Sequence, residues 1–199
     1  MPLDPTILMP PNGDDLLLMV PVHVDDGLAV TNSTPLYTWF IAELSKELEV
    51  VDLGPVSMFL AIHIHCNCTH QNFFISQKSF ITDLLDTWNM SNCYPLPIPL
   101  HHKLHELLTV LPNSLLDIHD KDITVNFQQL VGSLIYLAMC TCPDIAYVAM
   151  ELGQYNASVT RTHLLAAKGV LHYLAGTLDL SLEFGMDQSV IAAPVHGLA

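Results

Sequence analysis

Basic side chains are scarce in this sequence. Its 199 residues include six lysines and arginines against 20 aspartates and glutamates, so the formal net charge at pH 7 is −14. Arg161 is the single arginine. Because phosphate backbones are bound mainly by lysine and arginine, this composition argues against nucleic acid as a partner.

Long apolar runs are also absent, although 51% of the residues are hydrophobic and the mean hydropathy is +0.40. No uninterrupted run approaches the ~18 residues that span a bilayer, so we expect no membrane partner. The sequence begins Met-Pro-Leu-Asp-Pro, with no basic stretch ahead of an apolar one. We therefore expect no signal peptide, an intracellular protein, and thiols rather than disulfides for the five cysteines.

Two adjacent aspartates, Asp25 and Asp26, lie between two apolar runs within residues 19–30. This pattern predicts a strand, a tight turn and a second strand, with Asp26-Gly27 supplying the positive φ that a hairpin needs. Pro21 predicts an edge strand or a bulge. A carboxylate pair fixed at a hairpin tip can bind a hard cation such as Mg²⁺. The alternative is an acidic turn whose charges are simply solvated.

The remaining periodicity predicts an α+β fold, with strands and helices in the first half and mainly helices in the second. Helices are predicted from Ser33–Pro35 onward, over Gln77–Trp88, over Phe127–Met139, from Pro143-Asp144 onward, and over His163–Ala175 with Gly176 ending the last. Strands are predicted over Met58–His65, Phe73–Ile75 and Leu178–Phe184. Gly132-Ser133 is expected to allow close helix packing.

Histidine and cysteine cluster in one short stretch that contains His63, His65, Cys66, Cys68 and His70. Structural zinc sites usually offer two pairs of ligands, each separated by two to four residues, and this spacing does not fit. We therefore expect solvated histidines rather than zinc. His101, His102 and His105 are interpreted as loop residues. The fingerprints of a P-loop, a dinucleotide fold and a nucleophile elbow are absent.

Six short motifs occur in an order that resembles one family, the reverse transcriptases of copia-type retrotransposons, in their C-terminal half. The resemblance runs from about Asp14 to Phe184. His23–Asp26 resembles the catalytic Tyr-Val-Asp-Asp motif of that family. The other five are Val51–Pro55 with Phe59–Ile62 (Asp-Leu-Gly…Phe-Leu-Gly-Ile), Ile75–Lys78 (Ile-Ser-Gln-Lys), Phe127–Leu137, Pro143–Ala146 and Ala166–Thr177.

The resemblance implies a partial palm with the His-Val-Asp-Asp hairpin and the start of a thumb over residues 1–90. It further implies a proline-rich connecting segment over 91–125, a helical thumb or connection region over 126–185, and a tail over 186–199 that leads toward a ribonuclease H domain. By the same resemblance, Asp25 and Asp26 bind Mg²⁺ together with a third aspartate. The partners would be an RNA or DNA template-primer and deoxynucleotides.

Departures from the family pattern favour a polymerase fragment that is inactive alone. The fingers and the third aspartate belong to an earlier part of the family sequence, and the ribonuclease H domain to a later one. Cys142, Gly169 and His172 stand where the family has basic residues. Two alternatives stay open: a polymerase part completed by another chain, and a non-enzymatic scaffold or zinc-binding interaction module. A partial palm would expose a sheet edge, which predicts self-association.

Overall fold

The structure is a computed structural model that describes residues 6–7, 17–67, 72–99, 121–185 and 195–198. The chain divides into two compact units: unit 1 comprises Met1–Ile75 and Glu183–Ala199, and unit 2 comprises Ser76–Leu182. The fold is α+β, as predicted, with antiparallel strand pairing. The division into palm, connecting segment and thumb stays a prediction.

Unit 1 contains two sheets and helix α1. Its strands are β1 (Thr6–Ile7), β2 (Leu18–Val20), β3 (Val22–His23), β4 (Asp26–Thr31), β5 (Asp52–Pro55), β6 (Met58–Phe59), β7 (Ile62–Asn67), β8 (Asn72–Ser76), β9 (Leu182–Gly185) and β10 (Val195–Leu198). The first sheet has the order β1-β2-β4-β10-β5, with β3 also paired to β4. The second sheet has the order β6-β7-β8-β9.

The predicted first hairpin is present, and Pro21 interrupts it without shifting its register. Leu18 pairs with Thr31, and Val22 pairs with Gly27, so both arms keep one register on either side of the proline. The Pro21 carbonyl still accepts a hydrogen bond from the Leu28 amide at 3.0 Å. Proline lacks only the donor, which explains why β2 and β3 are separate strands without a bulge between them.

Helix α1 (Thr34–Leu44) begins where the sequence predicts, because Ser33 caps it and Pro35 lies in its first turn. The Ser33 side chain accepts a hydrogen bond from the Leu36 amide at 3.4 Å. Leu36, Tyr37 and Phe40 are buried and pack with Leu18 and Ala29 of the first sheet. This cluster fixes the inner face of the hairpin that carries Asp25 and Asp26.

The single strand predicted over Met58–His65 is wrong. β6 and β7 are instead two arms of a hairpin, with Phe59 paired to Ile62 and with Leu60 and Ala61 as the two turn residues. Both have positive φ, 49° and 59°, as a type I′ turn requires. Type I′ turns usually contain Asn or Gly, and neither residue is present in this turn.

Unit 2 is a helical bundle around one apolar core. Its helices are α2 (Lys78–Thr87), α3 (Lys121–Cys140), α4 (Ala146–Gly153), preceded by a 3₁₀ turn at Pro143–Ile145, and α5 (Arg161–Gly176). All four were predicted, but α3 begins six residues before Phe127, inside the range expected to connect the subdomains. Residues 100–120, most of that range, lie outside the described residues, as do 68–71. The last predicted strand starts at Leu182 rather than Leu178.

Two glycines differ from the prediction in part or in full. Helix α5 does end at Gly176, as predicted, but without the left-handed conformation that glycine often supplies at a helix end. Gly176 lies against the proline-rich segment, where an added Cβ would come within 3.0 Å of the Pro95 Cβ. In the same place the Leu96 amide donates to the His172 carbonyl at 3.1 Å. Gly132 is not a close-packing site, because a Cβ there would have nothing within 4 Å.

Helix α3 is long and apolar enough, by length and composition alone, to cross a membrane. This is weak evidence, because the core helix of a soluble bundle meets the same criterion. Five of its apolar side chains are buried in the unit 2 core: Phe127, Leu130, Val131, Leu134 and Leu137. Packing within the bundle accounts for the apolar side chains on this face of α3, whereas Val125 and Met139 of the same helix are exposed.

Candidate functional site

Asp25 and Asp26 lie at the tip of the first hairpin, where the chain reverses in two residues. His23 pairs with Asp26, which leaves Val24 and Asp25 as the turn residues. The residue with positive φ is Val24, at 58°, and not Gly27 as the sequence pattern predicted. Asp26-Gly27 instead opens strand β4, and the turn tolerates a β-branched residue in a conformation that such residues rarely adopt.

The side chains of strand β4 alternate between the core and the opposite face of the sheet, and Asp26 lies on the face away from the core. Gly27, Ala29 and Thr31 are buried, and Ala29 packs in the cluster with α1. Asp26 lies on the opposite face because successive side chains of a strand point to opposite sides. Asp25 is exposed in the turn, and Asp26 is exposed at the start of β4. Both carboxylates are therefore open to a ligand from solvent.

The far end of the hairpin is held by polar contacts that the sequence pattern did not predict. The Leu17 amide donates to Asn32 Oδ1 at 2.8 Å, and the Asn32 amide donates back to the Leu17 carbonyl at 3.3 Å. The Ser33 amide donates to Thr31 Oγ1 at 3.1 Å. These contacts tie both hairpin arms to the start of α1, so the tip projects from a fixed base.

Tyr37 and Asp52 form a second polar link that sequence reasoning missed. The Tyr37 ring is buried under the first sheet, and its hydroxyl lies by the Asp52 carboxylate. Burial, and then the hydrogen bond and charge of Asp52, raise the pKa of Tyr37 well above its ordinary value. Asp52 Oδ1 also accepts from the Gly54 amide at 2.7 Å, where Gly54 has φ of +76°. The Asp-Leu-Gly motif thus joins β5 to α1.

Three metal-capable side chains do not come together anywhere in the part of the chain that the structure describes. No group of three histidine, cysteine, aspartate or glutamate residues there is placed to hold an ion. At the hairpin tip, Asp25 and Asp26 are thus two carboxylates without a third described ligand. His65 in β7 lies 6.3 Å from Phe74, measured between ring centroids, and Cys66 is exposed. Cys68, His70, His101, His102 and His105 lie outside the described residues.

Comparison with known proteins decides what these motifs belong to. Residues 6–102 match the family described as reverse transcriptase (RNA-dependent DNA polymerase). The chain is 28% identical over 190 residues to a retrovirus-related Pol polyprotein from a Nicotiana tabacum transposon, an alignment that covers 94% of the chain. It is 32% identical over 179 residues, or 88% of the chain, to a retrovirus-related Pol polyprotein from the Arabidopsis thaliana transposon RE2. The chain belongs to the copia-type reverse transcriptase family.

This reverse transcriptase segment is short beside its relatives. It spans 14% of the tobacco polyprotein and 11% of the Arabidopsis polyprotein. A third relative, an uncharacterized mitochondrial protein of Arabidopsis thaliana, is 33% identical over 158 residues, which cover 79% of the chain and 61% of that protein. No solved structure gives a significant match.

Two reverse transcriptase motifs of unit 2 meet at a buried hydrogen bond. Gln77, from the Ile-Ser-Gln-Lys motif, is 1% exposed at the start of α2. Thr141, just before the Pro-Asp motif, is 7% exposed and donates from Oγ1 to Gln77 Oε1 at 2.8 Å. Burial raises the pKa of the Cys142 thiol beside it, so this cysteine is not an activated nucleophile. These motif residues hold the bundle together rather than form a site.

Proposed function

We propose that this chain provides the Asp25–Asp26 hairpin of a retrotransposon RNA-directed DNA polymerase. The observation that carries the proposal is the position of both carboxylates: exposed at a two-residue turn, on a hairpin whose inner face is fixed by α1. Unit 1 would then be part of the palm, and unit 2 the thumb and connection region. Family membership supports this assignment.

The two carboxylates fit Mg²⁺ by the chemistry of their donor atoms. Mg²⁺ prefers oxygen ligands, and polymerase-type sites bind it through one or two carboxylates together with water and substrate phosphates. Asp25 and Asp26 would be the protein ligands. An ion bound there would neutralise phosphate charge during nucleotide transfer. The hairpin would contribute by holding both carboxylates at a fixed tip, clear of the core.

We further propose that the 199-residue polypeptide does not extend a primer by itself. Two-metal catalysis requires enough carboxylates for both ions. In the described part of the chain, no third metal-capable residue joins Asp25 and Asp26. The family resemblance assigns that role to an aspartate of an earlier strand. Completion by another polypeptide segment would therefore be needed for activity.

Binding of a template-primer would be weak, because the described basic side chains are few and mostly engaged. Lys46 pairs with Glu43 at 2.6 Å, and Lys78 pairs with Asp179 at 2.5 Å. Lys168 lies over the Trp88 ring, 5.3 Å from its centroid. With a net charge of −14, the chain as a whole repels phosphate. We expect affinity for nucleic acid to vanish at physiological salt.

Primer extension on an RNA template with Mg²⁺ tests the inactivity of the isolated chain. The expected product is no greater than that of the Asp25→Asn/Asp26→Asn double variant. Extension by the parent above this level would refute the inactivity and establish catalysis by these aspartates.

Metal binding is tested separately with Mn²⁺, whose unpaired electrons broaden nearby NMR signals. Amide signals of residues 24–27 should broaden in the parent and stay sharp in Asp25→Asn/Asp26→Asn. Asp83→Asn/Asp86→Asn removes the same charge from two exposed positions in unit 2 and should leave the broadening unchanged. Absence of broadening in the parent would exclude the hairpin as a metal site.

A further inference from the structure

Strand β10 comes from the far end of the sequence and lies inside the first sheet. It pairs antiparallel with β4, from Val195 opposite Val30 to Leu198 opposite Gly27. On its other side it pairs antiparallel with β5, with His196 opposite Pro55. Because β10 has a neighbour on each side, it covers backbone donors and acceptors of both β4 and β5 that would otherwise form open edges.

The pairing of β10 ends directly beside the candidate site. The partner of Leu198 is Gly27, the residue that follows Asp26. β10 therefore occupies the strip of β4 edge next to the two aspartates, on the side away from β2. Another strand that brought a side chain to the aspartates along this edge would need the same backbone positions of β4. Occupation by β10 and by such a strand are mutually exclusive.

The pairing of β10 with β5 is irregular. The register shifts between His196 and Leu198, which marks a bulge or irregularity. The partner of His196 is Pro55, and proline has no amide hydrogen to donate to the ladder. The strand is also only four residues long. A short strand with an irregular ladder on one side opens more easily than the core of a sheet, which favours exchange of β10.

We propose that β10 is an intramolecular strap that covers the facing edges of β4 and β5 beside Asp25 and Asp26. An extended strand of a second polypeptide displaces it from there. Recognition would be β-strand addition, in which main-chain hydrogen bonds supply the affinity. The partner is defined by its chemistry: an extended segment of about four residues with open backbone donors and acceptors. The proposal concerns strand exchange and holds whether or not the chain has polymerase activity.

Strand complementation in trans tests the strap in the full chain. The probe is a fluorescein-labelled peptide with the sequence of residues 192–199. Gly197→Pro removes an amide donor of β10 and disfavours its pairing. The peptide should bind this variant at least about tenfold more tightly than the parent, because the tethered strand competes at high effective concentration. Equal binding to both chains, or binding to neither, would overturn the proposal.

Two controls separate strand exchange from general unfolding. Ala199→Pro changes the residue that follows β10 in the sequence, and this variant should bind the peptide as weakly as the parent does. If Gly197→Pro fails to fold, disulfide formation tests instead whether β10 occupies the edge of β4. Leu28→Cys/Gly197→Cys joins residues that face each other and should cross-link on mild oxidation, whereas Leu28→Cys/Val195→Cys should not. A cross-link that forms equally in both pairs, or in neither, would contradict the strap.

Discussion

The two units of this chain are built on different principles. Among the described residues, the unit 2 core contains seventeen buried apolar side chains, whereas the unit 1 cluster contains five. Large exposed apolar side chains occur in both units, for example Val24 in unit 1 and Met139 in unit 2, so the difference lies in the buried cores. Because burial of apolar area is the main favourable term in folding, unit 2 has the stronger packing, and unit 1 depends more on backbone pairing between strands.

The candidate functional features lie in unit 1, the unit with the smaller apolar core. The candidate metal ligands, Asp25 and Asp26, and the exchangeable strand β10 all lie in unit 1. Sites that bind ligands or partners are often drawn from the less stable part of a protein, because they must open or rearrange. In unit 2 the family motifs serve packing instead, as the buried pair of Gln77 and Thr141 illustrates. The units are therefore expected to respond differently to substitution.

The largest expected effect is loss of a core side chain in unit 2. Leu171 in α5 is fully buried, so Leu171→Ala removes apolar contacts and leaves a cavity. We expect a loss of ~3 kcal/mol in the free energy of unfolding, measured by urea denaturation with circular dichroism. Leu165→Ala, at a position 59% exposed on the same helix, is the matched control and should cost under ~0.5 kcal/mol. Similar costs for both would show that unit 2 lacks a well-packed core.

The next effect concerns the buried hydrogen bond of unit 2. Thr141→Val keeps the shape of the side chain but leaves the Gln77 carbonyl oxygen without its donor, at an expected cost of ~2 kcal/mol. Thr141→Ser retains the hydroxyl and should cost less. The double variant Gln77→Leu/Thr141→Val should cost less than the sum of the two single changes, because it removes both partners together. Strict additivity would mean that the two side chains do not interact.

A stabilising change is expected in unit 1. Ala61 has φ of 59°, and side chains with a Cβ occupy this region at a cost of ~1–2 kcal/mol. The corresponding family motif, Phe-Leu-Gly-Ile, has glycine at this position. Ala61→Gly should therefore raise the free energy of unfolding by ~1 kcal/mol and slow amide exchange in β6 and β7. Ala42→Gly, in helix α1, is the opposite control and should destabilise the protein by a similar amount. Destabilisation by Ala61→Gly would contradict the type I′ turn.

Local signals in the sequence predicted the helices well and the strand partners poorly. The cap and proline of α1 and the apolar periodicity of α2 and α5 are determined within a few residues of each helix. Their positions were accordingly found to within a turn. The pairing of β10 with β4, by contrast, joins residues more than 160 positions apart in sequence. No local pattern reports such a contact, because it depends on which strand edges are open.

The candidate site was predicted only in part for the same reason. Adjacent carboxylates between apolar runs gave the hairpin and its tip correctly. The residue with positive φ was predicted wrongly, because Val24 adopts a conformation that glycine usually supplies. The contact between Tyr37 and Asp52 was not foreseen, since neither the helix pattern nor the strand pattern reports which side chains of two successive elements meet. Whether Asp25 and Asp26 bind metal stays a prediction.

The smallest expected effect separates helix propensity from packing in unit 2. Gly132 lies inside α3, is exposed, and has open space where a Cβ would be. Gly132→Ala should therefore add ~0.5–1 kcal/mol to the free energy of unfolding, because alanine loses less backbone entropy in a helix. Gly176→Ala offers the contrast: its Cβ would meet Pro95 at 3.0 Å, so the same gain in propensity should be cancelled by the clash. Equal stabilisation by both changes, measured by urea denaturation, would show that the proline-rich segment yields freely and does not pack closely on α5.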